Sequence, residues 1–245
     1  YRQLNEQSLA LQVCGLKDGE ARATYKNVTF DVRSYENLRM FVHGEARNYQ
    51  DGLKDDQLTV FIRLGTDFEN NYYEFEMPIK VTPWGTKFDQ DMVIWPEANN
   101  IIIAFDSLTN MKMDRNANGI SSASEYVITL PPDPTTGVVS RIKLKGNPNL
   151  QGLKVIMIGV RNPGKDTNHP WMYAEDGLDK CAEIWVNELR LTDFDQHGGW
   201  ASTARVSMQL ADFGNVNVAG SYSTPGWGSI EKKVSERQRD TRSSF

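Results

Sequence analysis

At 245 residues, 39% hydrophobic and 24% charged, the chain is long enough to bury a sizeable core without help from metals or disulfides. A net charge of −5, with no basic stripe, argues against nucleic acid as a partner. No stretch reaches the length of an apolar membrane-spanning helix and no signal peptide is recognisable, so the piece reads as soluble in itself.

Period-two alternation begins at once. Leu9, Leu11 and Val13 share one side of a strand, and Lys17-Asp18-Gly19 marks a turn. Val28, Phe30 and Val32 alternate with polar neighbours, and Leu38, Met40 and Val42 alternate with Arg39, Phe41 and His43. Leu58 to Leu64 and Tyr73 to Met77 repeat the pattern. Strands with one apolar and one mostly polar face, repeated this often, predict antiparallel sheets packed face to face. Pro78 to Pro96 reads as loop. Asn99 to Met113 is the one candidate helix, although the three isoleucines at its start equally suit a strand.

Tyr126 to Leu130 ends at Pro131-Pro132-Asp133-Pro134, and Ile142 and Leu144 follow in another alternating segment. Leu153 to Val160 is apolar on both faces, which predicts a central strand. After a long loop from Arg161 to Asp179, Lys180 to Phe194 is apolar on both faces at first and polar on one face later. Leu189 and Leu191 there continue the Trp185 face. Beyond Asp195 the character changes: Val206, Met208 and Leu210 alternate with Arg205, Ser207 and Gln209, and after a turn at Gly214-Asn215, Val216, Val218 and Tyr222 alternate with Asn217, Ala219 and Ser221. Such a hairpin either extends the sandwich or belongs to an outer-membrane barrel wall. Glu231 to Arg242 is charged, and reads as a solvated helix or a frayed tail.

The expected fold is therefore mainly β: an antiparallel, jelly-roll-like β-sandwich with one short helix and a C-terminal β-hairpin extension. The expected units are a sandwich at 1–195, a hairpin at 196–230 and a charged tail at 231–245. The abrupt start and finish read as a segment of a longer protein.

Few residues suggest chemistry. Asp114, Asn116, Asn118 and Glu125, with Gly119 between, match the spacing of a calcium loop, in which short oxygen ligands and a late carboxylate wrap a hard cation. Only two of the four are charged, and an Asn/Gly-rich surface turn explains the same residues. Calcium is thus the one cofactor to consider. His43, His169 and His197 fall in no metal-binding or catalytic frame. Glu74 and Glu76 lie two apart on one strand face, as glycosidase carboxylates sometimes do, but an outward charged face is the plainer reading. Tyr72, Trp84, Trp95, Trp171 and Trp200 fall in or near expected loops, where they would either stack on carbohydrate or cover an interface. Cys14 and Cys181 form no CxxC pair, and either bridge neighbouring first and last strands or remain thiols.

Several longer strings carry a resemblance. They are Asn5-Glu-Gln-Ser-Leu9, Leu38-Arg-Met-Phe-Val-His-Gly-Glu45, Cys181-Ala-Glu-Ile-Trp-Val-Asn-Glu-Leu-Arg-Leu191, Gly198-Gly-Trp-Ala201 and Gly220-Ser-Tyr-Ser-Thr-Pro-Gly-Trp-Gly228. Together they resemble an internal region of the SprA/Sov family, the large outer-membrane barrels of type IX secretion that export folded cargo and gliding adhesins. The resemblance implies a non-enzymatic structural or gating domain in the outer membrane or cell envelope of a Gram-negative bacterium. Its implied partners are the rest of its own barrel chain, accessory outer-membrane subunits and secreted cargo. Residues from about Gly199 onward would lead back into the barrel. The residues themselves leave a carbohydrate-binding sandwich module, stabilised or not by calcium, as the alternative.

Overall fold

The computed structural model describes residues 8–87, 89–165, 176–195, 198–229, 231, 236–238 and 240–245. Two compact units, Tyr1–Asp193 and Phe194–Phe245, divide the chain.

The first unit is built from ten strands: β1 (Leu9–Leu16), β2 (Ala21–Phe30), β3 (Tyr35–Ala46), β4 (Thr59–Gly65), β5 (Tyr72–Pro78), β6 (Ile101–Ala104), β7 (Tyr126–Thr129), β8 (Arg141–Lys145), β9 (Leu153–Arg161) and β10 (Lys180–Phe194). They form a four-stranded sheet in the order β1-β10-β3-β6 and a six-stranded sheet in the order β2-β9-β4-β5-β8-β7. The described pairings between these strands are antiparallel. The two inner faces supply the core: Leu38, Met40, Ile103 and Ile184 from the smaller sheet, and Val60, Ile62, Leu64 and Ile142 from the larger. Each such side chain, removed from water, contributes roughly 1.5–3 kcal/mol. β9 lies between β2 and β4, the interior position expected of a strand that is nearly all apolar from Leu153 to Val160.

The ambiguous segment after Asn99 contains both expected forms. Ile101 to Ile103 pair with β3, where β-branched side chains fit a pleated surface, and α2 (Phe105–Ala117) follows directly. Phe105, Leu108 and Met111, spaced along one face of α2, enter the core. A one-turn helix, α1 (Asp91–Ile94), lies in the segment expected to be loop. β2 begins at Ala21, well before the apolar alternation at Val28. As an edge strand of the larger sheet it carries an exposed, mostly polar stretch from Arg22 to Asn27, and polar residues leave no periodic signal.

β10 departs from its expected facing. Leu191 packs against the core and the Arg190 guanidinium lies 5.6 Å from the centre of the Phe41 ring, whereas Trp185 stays 37% exposed. Glu188 adopts φ 51°, a left-handed conformation that breaks the alternation and moves the later residues to the opposite face. Leu191 therefore does not share the Trp185 face.

β1 and β10 are neighbours, with Val13 opposite Ala182, and Cys14 and Cys181 form a disulfide across them. The two cysteines are thus a staple between the first and last strands of the sandwich.

The second unit is a ribbon of β11 (Ala201–Leu210), β12 (Gly214–Ser223) and the short β13 (Arg242–Ser244), in that order and antiparallel. Part of the segment expected as a solvated helix or tail, residues 232–235 and 239, lies outside the described residues.

Candidate functional site

The outer face of the six-stranded sheet carries the densest chemistry in the chain. Strand register sets Glu74 between Arg63 and Lys143, and Glu76 opposite Arg141. Arg161, at the end of β9, lies opposite Thr59. Lys143 Nζ is 2.7 Å from Glu74 Oε1 and 3.1 Å from Glu76 Oε2. Arg161 Nη2 is 3.0 Å from Glu74 Oε1, and its Nη1 meets Glu76. Arg141 Nη2 is 2.8 Å from Glu76 Oε2, Arg63 Nε contacts Glu74, and Thr59 Oγ1 donates to Glu76 Oε1 at 2.7 Å. The guanidinium of Arg63 also stacks 4.1 Å from the Tyr72 ring centre, and that of Arg161 4.6 Å from Phe61.

Glu74 and Glu76 are fully buried, which corrects the expectation of an outward charged face. Long aliphatic arms and neighbouring rings cover them, a placement that strand alternation alone cannot distinguish from exposure. Burial pushes both carboxyl pKa values up, but the charges of Arg161 and Lys143 outweigh it, with Arg63 at Glu74 and Arg141 at Glu76. Both carboxyls are held below their ordinary value. A general acid needs the reverse shift. The pair is therefore an ionised clamp at neutral pH, joining β4, β5, β8 and β9. The sequence signal that could have found it is the run Arg141-x-Lys143, which matches Glu74-x-Glu76 in spacing.

His43 is a buried residue of β3. Its ring lies 5.7 Å from that of Trp95 and 5.5 Å from that of Trp185. Nδ1 is 2.8 Å from the Ile94 carbonyl oxygen, which can only accept, so Nδ1 carries the proton. Thr82 Oγ1 is 3.1 Å from the same nitrogen, and Nε2 lies 3.7 Å from Glu45 Oε2. This histidine ties α1 to the outer face of the smaller sheet. His169 and His197 lie outside the described residues.

The calcium-spacing residues are not arranged as a loop. Asp114 and Asn116 belong to the last turn of α2, and Asn118 caps it with Nδ2 donating to the Asp114 carbonyl at 2.9 Å. Residues two apart on a helix point about 200° away from one another, so Asp114 and Asn116 diverge. Asn116 Oδ1 instead accepts from Arg115 at 3.1 Å, and Glu125 accepts the Tyr72 hydroxyl at 2.5 Å. Among the described residues no cluster of three His, Cys, Asp or Glu has metal-holding geometry.

The aromatic residues expected in loops separate too. Tyr72 is a buried residue of β5 and Trp95 is half-buried against His43. Trp84 and Trp200 are exposed, the latter with its ring 5.3 Å from that of Tyr222. Trp171 lies outside the described residues.

The ribbon has two chemically distinct faces. Val206 opposes Val218, Met208 opposes Val216 and Ser202 opposes Tyr222 on one; Thr203 opposes Ser221, Ser207 opposes Asn217 and Gln209 opposes Asn215 on the other. Val206 and Val218, at mid-strand, are 55% and 61% exposed. An apolar row of that exposure is unusual for a strand whose other face is polar and also solvent-facing. No helix among the described residues is long and apolar enough to cross a membrane, which says nothing about strands.

Comparison with known protein families gives a match over the whole chain. The model of SprA_N, described as a motility-related/secretion protein, matches residues 1–245. No curated protein matches the chain.

Proposed function

The chain belongs to the SprA_N family of motility-related and secretion proteins, and from that premise we propose that it is a non-catalytic structural or gating domain of an outer-membrane protein-export channel of the type IX, gliding-related kind. Family membership makes a secretion-related role in the cell envelope the starting point. The observation that carries the finer reading is the β11–β12 ribbon. Its ten-residue strands have the length that crosses a bilayer at a tilt, and one apolar face opposes a mostly polar face that includes Arg205, Ser207 and Gln209. The sandwich is a soluble domain inserted in the chain between barrel strands. The Cys14–Cys181 disulfide suits an oxidising compartment such as the periplasm or cell surface. The partners are the remainder of the barrel chain, accessory outer-membrane subunits and secreted cargo, with the charge clamp and the disulfide keeping the body rigid while cargo passes.

The test is positional. In the full-length parent assembled in its membrane, Val206→Arg or Val218→Arg would place a charge against lipid, at a cost of about 2–4 kcal/mol near the midplane. Assembly of the channel and export of cargo should fall for both. Ser207→Arg, on the opposite face, should be tolerated. Equal tolerance at Val206, Val218 and Ser207 would refute the barrel-wall reading.

A further inference from the structure

A cleft of about 480 Å³ opens between two turns of the sandwich and carries Tyr49 on one and Trp84 on the other, with Leu53, Lys54, Asp55 and Val81 also lining it. Tyr49 is 80% exposed and Trp84 54% exposed, although both belong to residue types that normally bury most of their surface. The volume falls within the range of small-molecule sites.

Each ring stands on a backbone turn fixed by hydrogen bonds. Tyr49 opens a 3-10 turn, Tyr49–Asp51, in which the Asp51 carboxylate accepts the Asn48 N–H at 2.7 Å, and Gly52 closes it at φ 61°. Trp84 is the second residue of the turn Pro83 to Thr86, where the Pro83 carbonyl accepts the Thr86 N–H at 3.3 Å and its hydroxyl at 2.7 Å; Gly85 takes φ 81°. Between the two turns, Asp55 Oδ1 accepts the Val81 N–H at 2.8 Å, which orients the carboxylate. Lys54 makes no ion pair among those described.

We propose that this cleft is a saccharide site that takes a neutral pyranose unit of an oligosaccharide. A pyranose presents one face of weakly positive C–H bonds, which suits the negative face of an aromatic ring, and a rim of hydroxyls that both donate and accept. Tyr49 and Trp84 supply the ring faces. Lys54 supplies a donor and the second oxygen of Asp55 an acceptor. Turns and a carboxylate fixed before the ligand arrives reduce the entropy lost on binding. A proline-rich peptide also uses aromatic walls, but it needs no adjacent cation and carboxylate, so the polar pair favours the sugar. The site lies in the sandwich unit and does not depend on how the ribbon is used.

The probes are cellobiose and N,N′-diacetylchitobiose, titrated into the 245-residue chain; the Trp84 indole N–H is followed by NMR in the native chain, and the affinities of native and variant chains are compared by isothermal titration calorimetry. The expected result is a saturable shift of that signal by at least one disaccharide, with millimolar affinity. Trp84→Ala and Tyr49→Ala should each weaken binding roughly ten-fold. Trp84→Phe should retain most of it. Because both rings are exposed, the melting temperature should be unchanged in all three variants, which separates lost binding from lost folding. No saturable response to either sugar, binding undiminished in the alanine variants, or a Trp84 response to a polyproline peptide alone would each overturn the proposal.

Discussion

The disulfide offers the largest single perturbation. Cys14 and Cys181 are 167 residues apart in sequence, so the bond closes nearly the whole sandwich into one covalent loop. β1 is an edge strand with a single ladder to β10, and its Leu16 is fully buried. If the cross-link acts by restricting the unfolded chain, a loop of this length stabilises by about 5 kcal/mol. For a unit of this size that converts to a fall in melting temperature of roughly 10–20 °C when the bond is removed. Calorimetry of the oxidised chain, the chain in reductant and the Cys14→Ala/Cys181→Ala double variant should give one high and two matching low transitions. Urea unfolding of the reduced form should show a steeper dependence on denaturant, because its unfolded state exposes more surface. A fall below about 3 °C in both reduced forms would refute the reasoning and assign the anchoring of β1 to its hydrogen bonds and buried side chains alone.

Other outcomes follow from the packing. Glu76→Gln leaves Arg141, Lys143 and Arg161 around a neutral amide, and chemical denaturation should register a loss of about 3–5 kcal/mol. Because Glu74 and Glu76 are held below the ordinary carboxyl value, their contribution is complete above the unfolded pKa of 4.5 and is lost as pH falls from there towards the folded values. An acid-unfolding curve should therefore be shallower in the Gln variant than in the native chain. Gly159→Ala would bring a methyl group to 2.5 Å from Phe61 Cζ, 2.6 Å from Ala23 Cβ and 2.7 Å from the Arg22 carbonyl oxygen. The urea midpoint should fall by an amount equivalent to about 1–3 kcal/mol, and an unmoved midpoint would mean that the β2 edge yields. Hydrogen exchange should be far faster at amides of 206–222 than at 58–64, since the ribbon's side chains are exposed on both faces and β4 is central. Equal protection would count against a ribbon that awaits its wall.

The chain's own residues determined most of the elements and one face of each. Alternation at Leu38 to Val42, Leu58 to Leu64 and Tyr73 to Met77 placed three strands and their core sides, because a pleated backbone directs every second side chain the same way. Continuous apolarity at Leu153 to Val160 marked a strand with neighbours on both sides. The two faces of β11 and β12 were legible for the same reason. Three things were decided only by the tertiary arrangement. The pairing of β1 with β10, which brings Cys14 to Cys181, joins strands from opposite ends of the sandwich, and no local pattern encodes a partner so far away. The burial of Glu74 and Glu76 depends on cations from β4, β8 and β9 arriving in register, so what reads locally as a solvated face became an ion-paired interior. The turn of Leu191 into the core follows one left-handed residue, Glu188, a conformation that the period-two pattern of β10 does not signal.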